Sequence, residues 1–419
     1  MVEPRSHEDT KVLEPVLRFS EFNGSYRKHL FDELFEFSTG KNIKQNEASP
    51  EFEIPCVRYG ELYHMYGEVI SKTINFTNLN SSELKFSKGD EILLPSAGED
   101  PFDIGSASAL ALKNIAIGRT INILSPQKEG VYSHFYMSYY INQKQRKKIS
   151  RLAKGVSISN VYNSDLKKLS AVIPNIQEQQ KIAAFLSSVD EKIEQLTEKH
   201  RLLCEYKKGI MQQIFTQQIR FKDNQGNDYP EWVERRLDEV AQYRRGSFPQ
   251  PYGLPEWYDS ENGFPFIQVF DIDKNMRLKP LTKQRISKAA AKKSVFIKKG
   301  TVIISIQGSI GRVAITGYDA YVDRTVLVFK KFTKPMSPVF FAYVLEILFE
   351  IEKRKAPGGT IKTITKEVLS SFLIDFPCLE EQQKIASFLT EIDHKINQAW
   401  STLEQTKAFK KGLLQKMFI

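Results

Sequence analysis

The segment IPNIQEQQKIAAFLSSVDEKI, beginning at Ile173, recurs as FPCLEEQQKIASFLTEIDHKI beginning at Phe376, 203 residues further along and without a gap. Carried on to Thr216 and Ile419, the alignment holds 18 identities in 44 positions, among them Pro174/Pro377, Phe185/Phe388, Asp190/Asp393 and the Lys-Lys-Gly at Lys207 and Lys410. A repeat at half-chain spacing constrains architecture before any local motif does, because each copy must build the same kind of unit. The similarity extends upstream, where Gly155, Ile158, Leu166 with Leu369 and the Ser157/Thr360 pair align GVSI with GGTI and DLKKLS with EVLSSF. The beginnings correspond more loosely, FDELFEFSTG at Phe31 with LDEVAQYRRG at Leu237, and KGDEILL at Lys88 with KGTVIIS at Lys299. A shared frame with different contents predicts two related domains that recognise different things. The order is also cyclic: Arg220 and Phe221, just after the first copy, match Arg18 and Phe19. The amino-terminal tail is therefore expected to complete the frame of the second copy in a pseudo-twofold fold.

Within each copy the apolar residues fall on two rows seven apart, the seam of a coiled coil. The rows are Ile182, Val189, Leu196, Leu203 and Ile210 with Leu186, Ile193 and Ile214, then Ile385, Ile392, Ala399 and Leu413 with Leu389, Ile396, Leu403 and Met417. His200, Lys207, Thr406 and Lys410 interrupt the seam toward its end. A helix from about Glu178 to Phe215 spans about 57 Å at 1.5 Å per residue, and the simplest partner for its stripe is the other copy, packed antiparallel. Asn175, with Glu178 three residues on, suits a cap for the first helix, but Cys378 stands at the matching place in the second. Gln179, Gln180 and Lys181 recur as Gln382, Gln383 and Lys384 off the seam; duplicated and read as outward-facing, they are candidate partner-docking residues.

The remainder mixes short β-type runs with helical stretches, so the fold class reads as mixed α/β: two α/β domains separated by two long helices packed as an antiparallel coiled coil. The boundaries read as a first domain over 1–172, a first repeated helix over 173–218, a second domain over 219–375 and a second repeated helix over 376–419. The most polarised stretch, Lys274 to Lys299, carries ten Lys or Arg and no acid, and INQKQRKKISRLAKG in the other half is also acid-free. Such composition suits phosphate, and reading a base edge needs Arg, Lys, Gln, Asn or Ser reaching into a groove. The DNA-binding candidates are Lys41, Asn42, Lys44, Lys144, Arg146, Lys147, Lys148, Arg151 and Lys154 in the first half. In the second they are Arg244, Arg245, Gln250, Lys283, Arg285, Lys292, Lys293, Gln307, Ser309, Arg312 and Arg324.

Composition supports this direction. The chain of 419 residues has a net charge of +10, which attracts polyanions, and its 41% hydrophobic share is that of a folded globular protein. The stretch MVEPRSHEDT lacks the apolar core of a signal peptide and no run reaches membrane-spanning length, so a cytoplasmic location without a membrane partner is expected. Cys56, Cys204 and Cys378 are far apart and read as reduced; no His pairs with Cys or acid at ligand spacing, so no metal is expected. Walker A, HExxH, GxSxG and NPPY-type strings are absent, which points to a recognition module with no catalytic residues and no cofactor of its own.

The helix opening P-x-x-x-E-Q-Q-K-I-A-x-F-L at Pro174 and Pro377, with D-x-K-I at Asp190 and Asp393, between two variable regions, resembles the specificity subunit of Type I restriction-modification enzymes. The resemblance covers essentially the whole chain. It implies two target recognition domains, each reading one half of a bipartite double-stranded DNA site, with the repeated helices spacing them. It further implies docking of two methylation subunits that carry S-adenosylmethionine and methylate adenine at N6, and restriction subunits that cut using ATP and Mg²⁺. The competing reading is a coiled-coil scaffold with two protein-binding heads, which predicts no salt-dependent DNA affinity.

Overall fold

The computed structural model describes residues 14–155, 158–273, 276–355 and 366–419. The Ser157/Thr360 pairing, Lys274 and the first thirteen residues lie outside them. The chain divides into two compact units, one formed by residues up to Thr197 together with Ser401–Ile419, the other by Glu198–Trp400.

The units open alike. In the first, a strand Arg27–Leu30 leads through the single helical turn Phe31–Leu34 into a strand Phe35–Thr39; in the second, Val233–Arg236, Leu237–Val240 and Ala241–Arg245 repeat the sequence of elements. Each turn is closed by its own acid: the Leu30 amide donates to Glu33 at 2.9 Å and the Arg236 amide to Glu239 at 3.3 Å. The opening strand pairs antiparallel with the strand just before the long helix, Arg27 opposite Ile173 in one unit and Val233 opposite Phe376 in the other. Each variable region is thus stapled at its two ends.

The second strand then enters the main sheet. In the first unit the order is Phe35–Thr39, Ile121–Pro126, Ile92–Pro95, Ser108–Leu110, Val69–Ile70; in the second it is Ala241–Arg245, Val326–Phe332, Val302–Ser305, Val313–Ile315. The KGDEILL and KGTVIIS landmarks run into matching central strands, fully buried in both units. Between these shared strands the content differs, with a three-stranded sheet in the first unit and a second four-stranded sheet in the second.

The long helices run Ile176–Phe215 and Leu379–Met417. Each unit holds the first part of one and the last part of the other. In the first unit Asp190 faces Lys410 while Arg18, near Leu17 on Lys416, reaches Glu178, so the two segments run antiparallel. The seam residues do more than join helices. Ile182, Leu186 and Val189 share a core with Tyr136, Tyr140, Leu413 and Met417, and Ile385, Leu389, Ile392 and Ile396 share one with Phe340, Phe341 and Ile214. The partner of each stripe is the α/β domain as well as the other helix. Leu196 and Leu403 are buried, Ile193 and Leu203 half-buried.

The seam lysines have charge partners. Lys410 Nζ lies 2.6 Å from Asp190 and 2.9 Å from Glu68, and Lys207 Nζ lies 3.0 Å from Asp393 and 3.2 Å from Glu346. Tyr139 donates to Asp190 and Tyr343 to Asp393, each at 2.6 Å. Burial raises the Asp190 and Glu346 carboxyls above the ordinary range. Burial alone would lower Lys410, but Glu68 and Asp190 outweigh it and hold its ammonium above its usual value.

Candidate nucleic-acid interface

The start of each long helix is built from the tail that precedes it in cyclic order. Glu178, fully buried, accepts from Arg18 Nε and Nη2 at 2.8 Å each and from the Tyr26 hydroxyl at 3.1 Å. Glu381, also fully buried, accepts from Arg220 at 3.4 and 2.9 Å and from the Trp232 indole at 3.0 Å. Phe19 meets Phe185 at 5.8 Å and Phe221 meets Phe388 at 5.5 Å, edge to face. The Arg-Phe match in the sequence is therefore a matched contact. Asn175 Oδ1 accepts the Glu178 amide at 2.9 Å, the expected cap.

Two of the docking candidates are displaced from the surface. Gln179 and Gln382 are 0% and 2% exposed. Their carboxamide oxygens accept the Ser133 and Ser337 amides at 3.0 Å each, and their NH2 groups donate to Pro174 and Pro377 carbonyls at 2.8 and 3.0 Å. The heptad pattern puts them off the seam, but the α/β domain covers that face, and a buried carboxamide is retained because it satisfies backbone groups. Gln180 and Gln383 are exposed; Lys181 bonds Glu21 and Lys384 donates to the Lys222 carbonyl at 2.7 Å.

The basic candidates sort by what holds them. In the first unit Lys41, Asn42 and Lys44 lie on an exposed loop after strand Phe35–Thr39. Asn42 and Ile43 both have positive φ, 53° and 58°, and Ile43 is buried among Cys56, Leu84 and Ala116, which compensates the strain of a β-branched residue there. Gly40 is required by close approach, since a Cβ would sit 2.0 Å from the Gly118 carbonyl oxygen. Lys147, Lys148 and Arg151 are exposed and Lys144 half-buried, none with a carboxylate partner among the described residues. Arg146 instead lies 4.1 Å over the Phe102 ring and 3.6 Å from Asp103, and Lys154 pairs with Asp165 at 2.9 Å. The acid-free run is neutralised in part by acids from elsewhere in the chain.

In the second unit Arg244, Arg245, Gln250, Gln307, Ser309 and Arg324 are exposed. Hydrogen bonds gather several of them: Ser247 N donates to Val322 O at 2.9 Å, the Ser247 hydroxyl to Lys293 O at 3.0 Å, and Ile306 N to Thr325 O at 2.9 Å. Arg245, Lys293, Gln307 and Arg324 therefore stand on connected segments. Lys292 is exposed nearby in sequence, Lys293 lies 5.1 Å over Trp257 and Lys283 lies 5.2 Å over Phe270. Arg285 and Arg312 differ, because their guanidiniums are engaged by the carbonyls of Gly263 and, at 3.0 Å, Ile272. They brace loops in their own unit.

One exposed arginine escapes the charge pattern of the sequence. Arg119 follows Gly118, and its amide donates to Asn42 O at 2.8 Å on the Lys41–Lys44 loop. The signal that pairs it with its counterpart is short, R-T-I at Arg119 and R-T-V at Arg324, 205 residues apart. Among the described residues no group of His, Cys, Asp and Glu is placed to hold a metal ion, and no helix is long and apolar enough to cross a membrane.

Comparison with known proteins agrees with this arrangement. The Type I restriction modification DNA specificity domain matches twice, at residues 30–203 and 229–405. The Type I restriction enzyme MjaVIII specificity subunit of Methanocaldococcus jannaschii is 24% identical over 365 residues, 83% of this chain and 81% of its own. A protein of the same organism provisionally named as the MjaX specificity subunit is 26% identical over 306 residues, 71% of this chain and 70% of its own. The Type I restriction-modification system S subunit from M. genitalium shares the fold, with a TM-score of 0.65 at 18% identity, covering 97% of this chain and 99% of that one. A chain from a structural study of complex assembly and conformational transition in the type I R-M system superposes with a TM-score of 0.54 at 19% identity, covering 94% and 97%. The chain belongs to the family of Type I restriction-modification DNA specificity subunits, with the specificity domain present twice.

Proposed function

We propose that each unit reads one half of a bipartite, asymmetric double-stranded DNA site. The observation that carries this reading is the double specificity-domain match, 30–203 and 229–405, on two units that share opening strands, main-sheet frame and helix starts but differ in their loops. Residues 1–172 and 219–375 act as target recognition domains, and 173–218 and 376–419 as the helices whose length sets the unread spacer. Base reading falls to exposed residues, the loop residues Lys41, Asn42 and Lys44 in one unit and, in the other, Arg244 and Arg245 at the end of strand Ala241–Arg245 with the loop residues Gln250, Gln307 and Ser309. Lys147, Lys148, Arg151, Lys292 and Lys293 supply salt-dependent attraction. The exposed Gln180 and Gln383, with Lys181 and Lys384 beside them, present the same surface twice and dock two methylation subunits. Those partners supply S-adenosylmethionine and the pocket for a flipped adenine, and restriction subunits supply ATP-dependent cleavage.

The test is co-expression with the cognate methylation subunit in a host lacking adenine methylation, followed by mapping of N6-methyladenine. A split motif with an unread spacer is expected, and exchanging one target recognition domain should change one half only. A stable complex that methylates a continuous motif, or none, would overturn the reading.

A further inference from the structure

We infer that Arg119 and Arg324 are equivalent DNA-phosphate contacts, one in each unit, that position the duplex without reading its sequence; this rests on the DNA-binding function proposed above. Each arginine precedes the strand that pairs with the second strand of its unit, Ile121–Pro126 or Val326–Phe332. The backbone around each is held by the same three hydrogen bonds. Lys41 N donates to Ile117 O at 2.9 Å, Gly40 N to Ile121 O at 3.0 Å and Ser96 N to Thr120 O at 2.8 Å in the first unit. Ser247 N to Val322 O, Gly246 N to Val326 O and Ile306 N to Thr325 O, each at 2.9 Å, repeat them in the second. Both crossings are so close that only glycine fits opposite: a Cβ at Gly40 would meet Gly118 O at 2.0 Å, and one at Gly246 would meet Asp323 O and Val322 O at 2.3 Å.

On this shared platform both arginines are exposed and neither pairs with a carboxylate among the described residues. Asp323, adjacent to Arg324, is buried and directs its carboxylate to Thr325 Oγ1 at 2.6 Å and the Tyr252 hydroxyl at 3.3 Å; Arg324 lies 5.4 Å over the Tyr252 ring. Exposed Lys41 stands on the segment bonded to that of Arg119, and Arg245 and Lys293 stand on segments linked to that of Arg324, so each arginine has other basic residues on neighbouring segments. The neighbouring loops differ in length, sequence and conformation. A residue whose flanking backbone makes the same three hydrogen bonds in two domains that read different sequences is suited to a feature both half-sites share, and phosphate is the chemical feature that every half-site has. An arginine fork suits a phosphate in geometry as well as charge.

The experiment measures binding of the assembled methylation complex to its methylated motif and to an unrelated duplex across a salt series, for Arg119→Ala, Arg324→Ala and the corresponding Lys variants. Each Ala variant is expected to weaken both duplexes by the same factor, about five- to tenfold, and to lower the salt slope by about one. The Lys variants should recover most of the affinity, the methylated motif should be unchanged, and circular dichroism melting should match the parent. Relaxed or altered specificity at a motif position would make the arginine a base contact and overturn the assignment. Unchanged affinity in Ala variants of a complex that methylates a bipartite motif would overturn it while leaving the proposed function standing. A parent complex without salt-dependent DNA affinity would overturn both.

Discussion

The two units solve one electrostatic problem with different parts. Both half-bury a lysine on the helix seam against an aspartate that accepts a tyrosine hydroxyl, Lys410 with Asp190 and Tyr139, Lys207 with Asp393 and Tyr343. The second carboxylate comes from unrelated places: Glu68 precedes the short strand Val69–Ile70, whereas Glu346 lies within the helix Pro338–Lys355. The repeated helix imposes a need for negative charge at a fixed position, and each variable region answers it locally. The helix starts show the opposite behaviour, since Arg18 with Glu178 and Arg220 with Glu381 are kept residue for residue. A fully buried carboxylate with a bidentate partner leaves little room for substitution; a half-buried ammonium accepts any nearby acid.

The largest effect should come from breaking the strict pair. Arg18→Met or Arg220→Met leaves a fully buried glutamate without its cation, and each should cost about 3 kcal/mol in chemical unfolding. All three tryptophans, Trp232, Trp257 and Trp400, belong to the second unit, so fluorescence follows that unit while circular dichroism follows both. Loss of Trp fluorescence ahead of the circular-dichroism transition is expected for Arg220→Met and not for Arg18→Met; equal behaviour would deny the units separate stability.

The permissive pair should be weaker and should depend on pH. Lys410→Met or Lys207→Met leaves two carboxylates facing each other at a cost of about 2 kcal/mol. Because burial raises the Asp190 and Glu346 carboxyls, the variants' deficit is full at neutral pH and shrinks as pH falls through those raised values, when one acid takes up a proton. In the parent protein the raised Lys410 contributes stability at neutral pH that is lost as pH climbs through its folded value. Unfolding measurements at about pH 5 and 7 check the first sign, and measurements carried above about pH 11 check the second. A deficit that grows on acidification would show that the carboxylates are not the stressed groups.

Gln179→Ala and Gln382→Ala should each cost about 1–2 kcal/mol by stranding the Ser133 or Ser337 amide. Equal losses in the two units would mark the carboxamide as part of the frame. The smallest perturbation is chemical labelling. Burial pushes the Cys56 thiol up to about 12, so it should react with a thiol reagent at pH 8 only on unfolding, while exposed Cys204 reacts in the native state. Fast native labelling of Cys56 would mean that the first unit opens more readily than its packing suggests.

Much of this was legible in the residues. The repeat located both helices, the heptads their apolar stripe and Asn175 the cap; the Arg-Phe echo marked a tail contact, but Arg18 and Phe19 pack on the start of the first helix, while Leu17 meets the end of the second. What misled was the other face of the helix. Period alone places Gln179 off the seam, but its amide partner, Ser133, lies 46 residues away, and Ser337 lies 45 residues from Gln382. Arg119 escaped for a related reason. Insertions shift the offset from 203 to 205 and beyond between landmarks, so an equivalence evident in the hydrogen bonds is faint in the string.

By itself the sequence determined the periodic and duplicated features: two long helices, two variable regions, their cyclic order and the excess of positive charge. These depend on neighbours along one helix or on comparison of the chain with itself. Only the tertiary structure decided which polar side chains are exposed, which cations are already paired, and which loop arginines share a platform. Those properties are set by contacts between segments far apart in sequence, where burial and partner geometry outweigh local pattern.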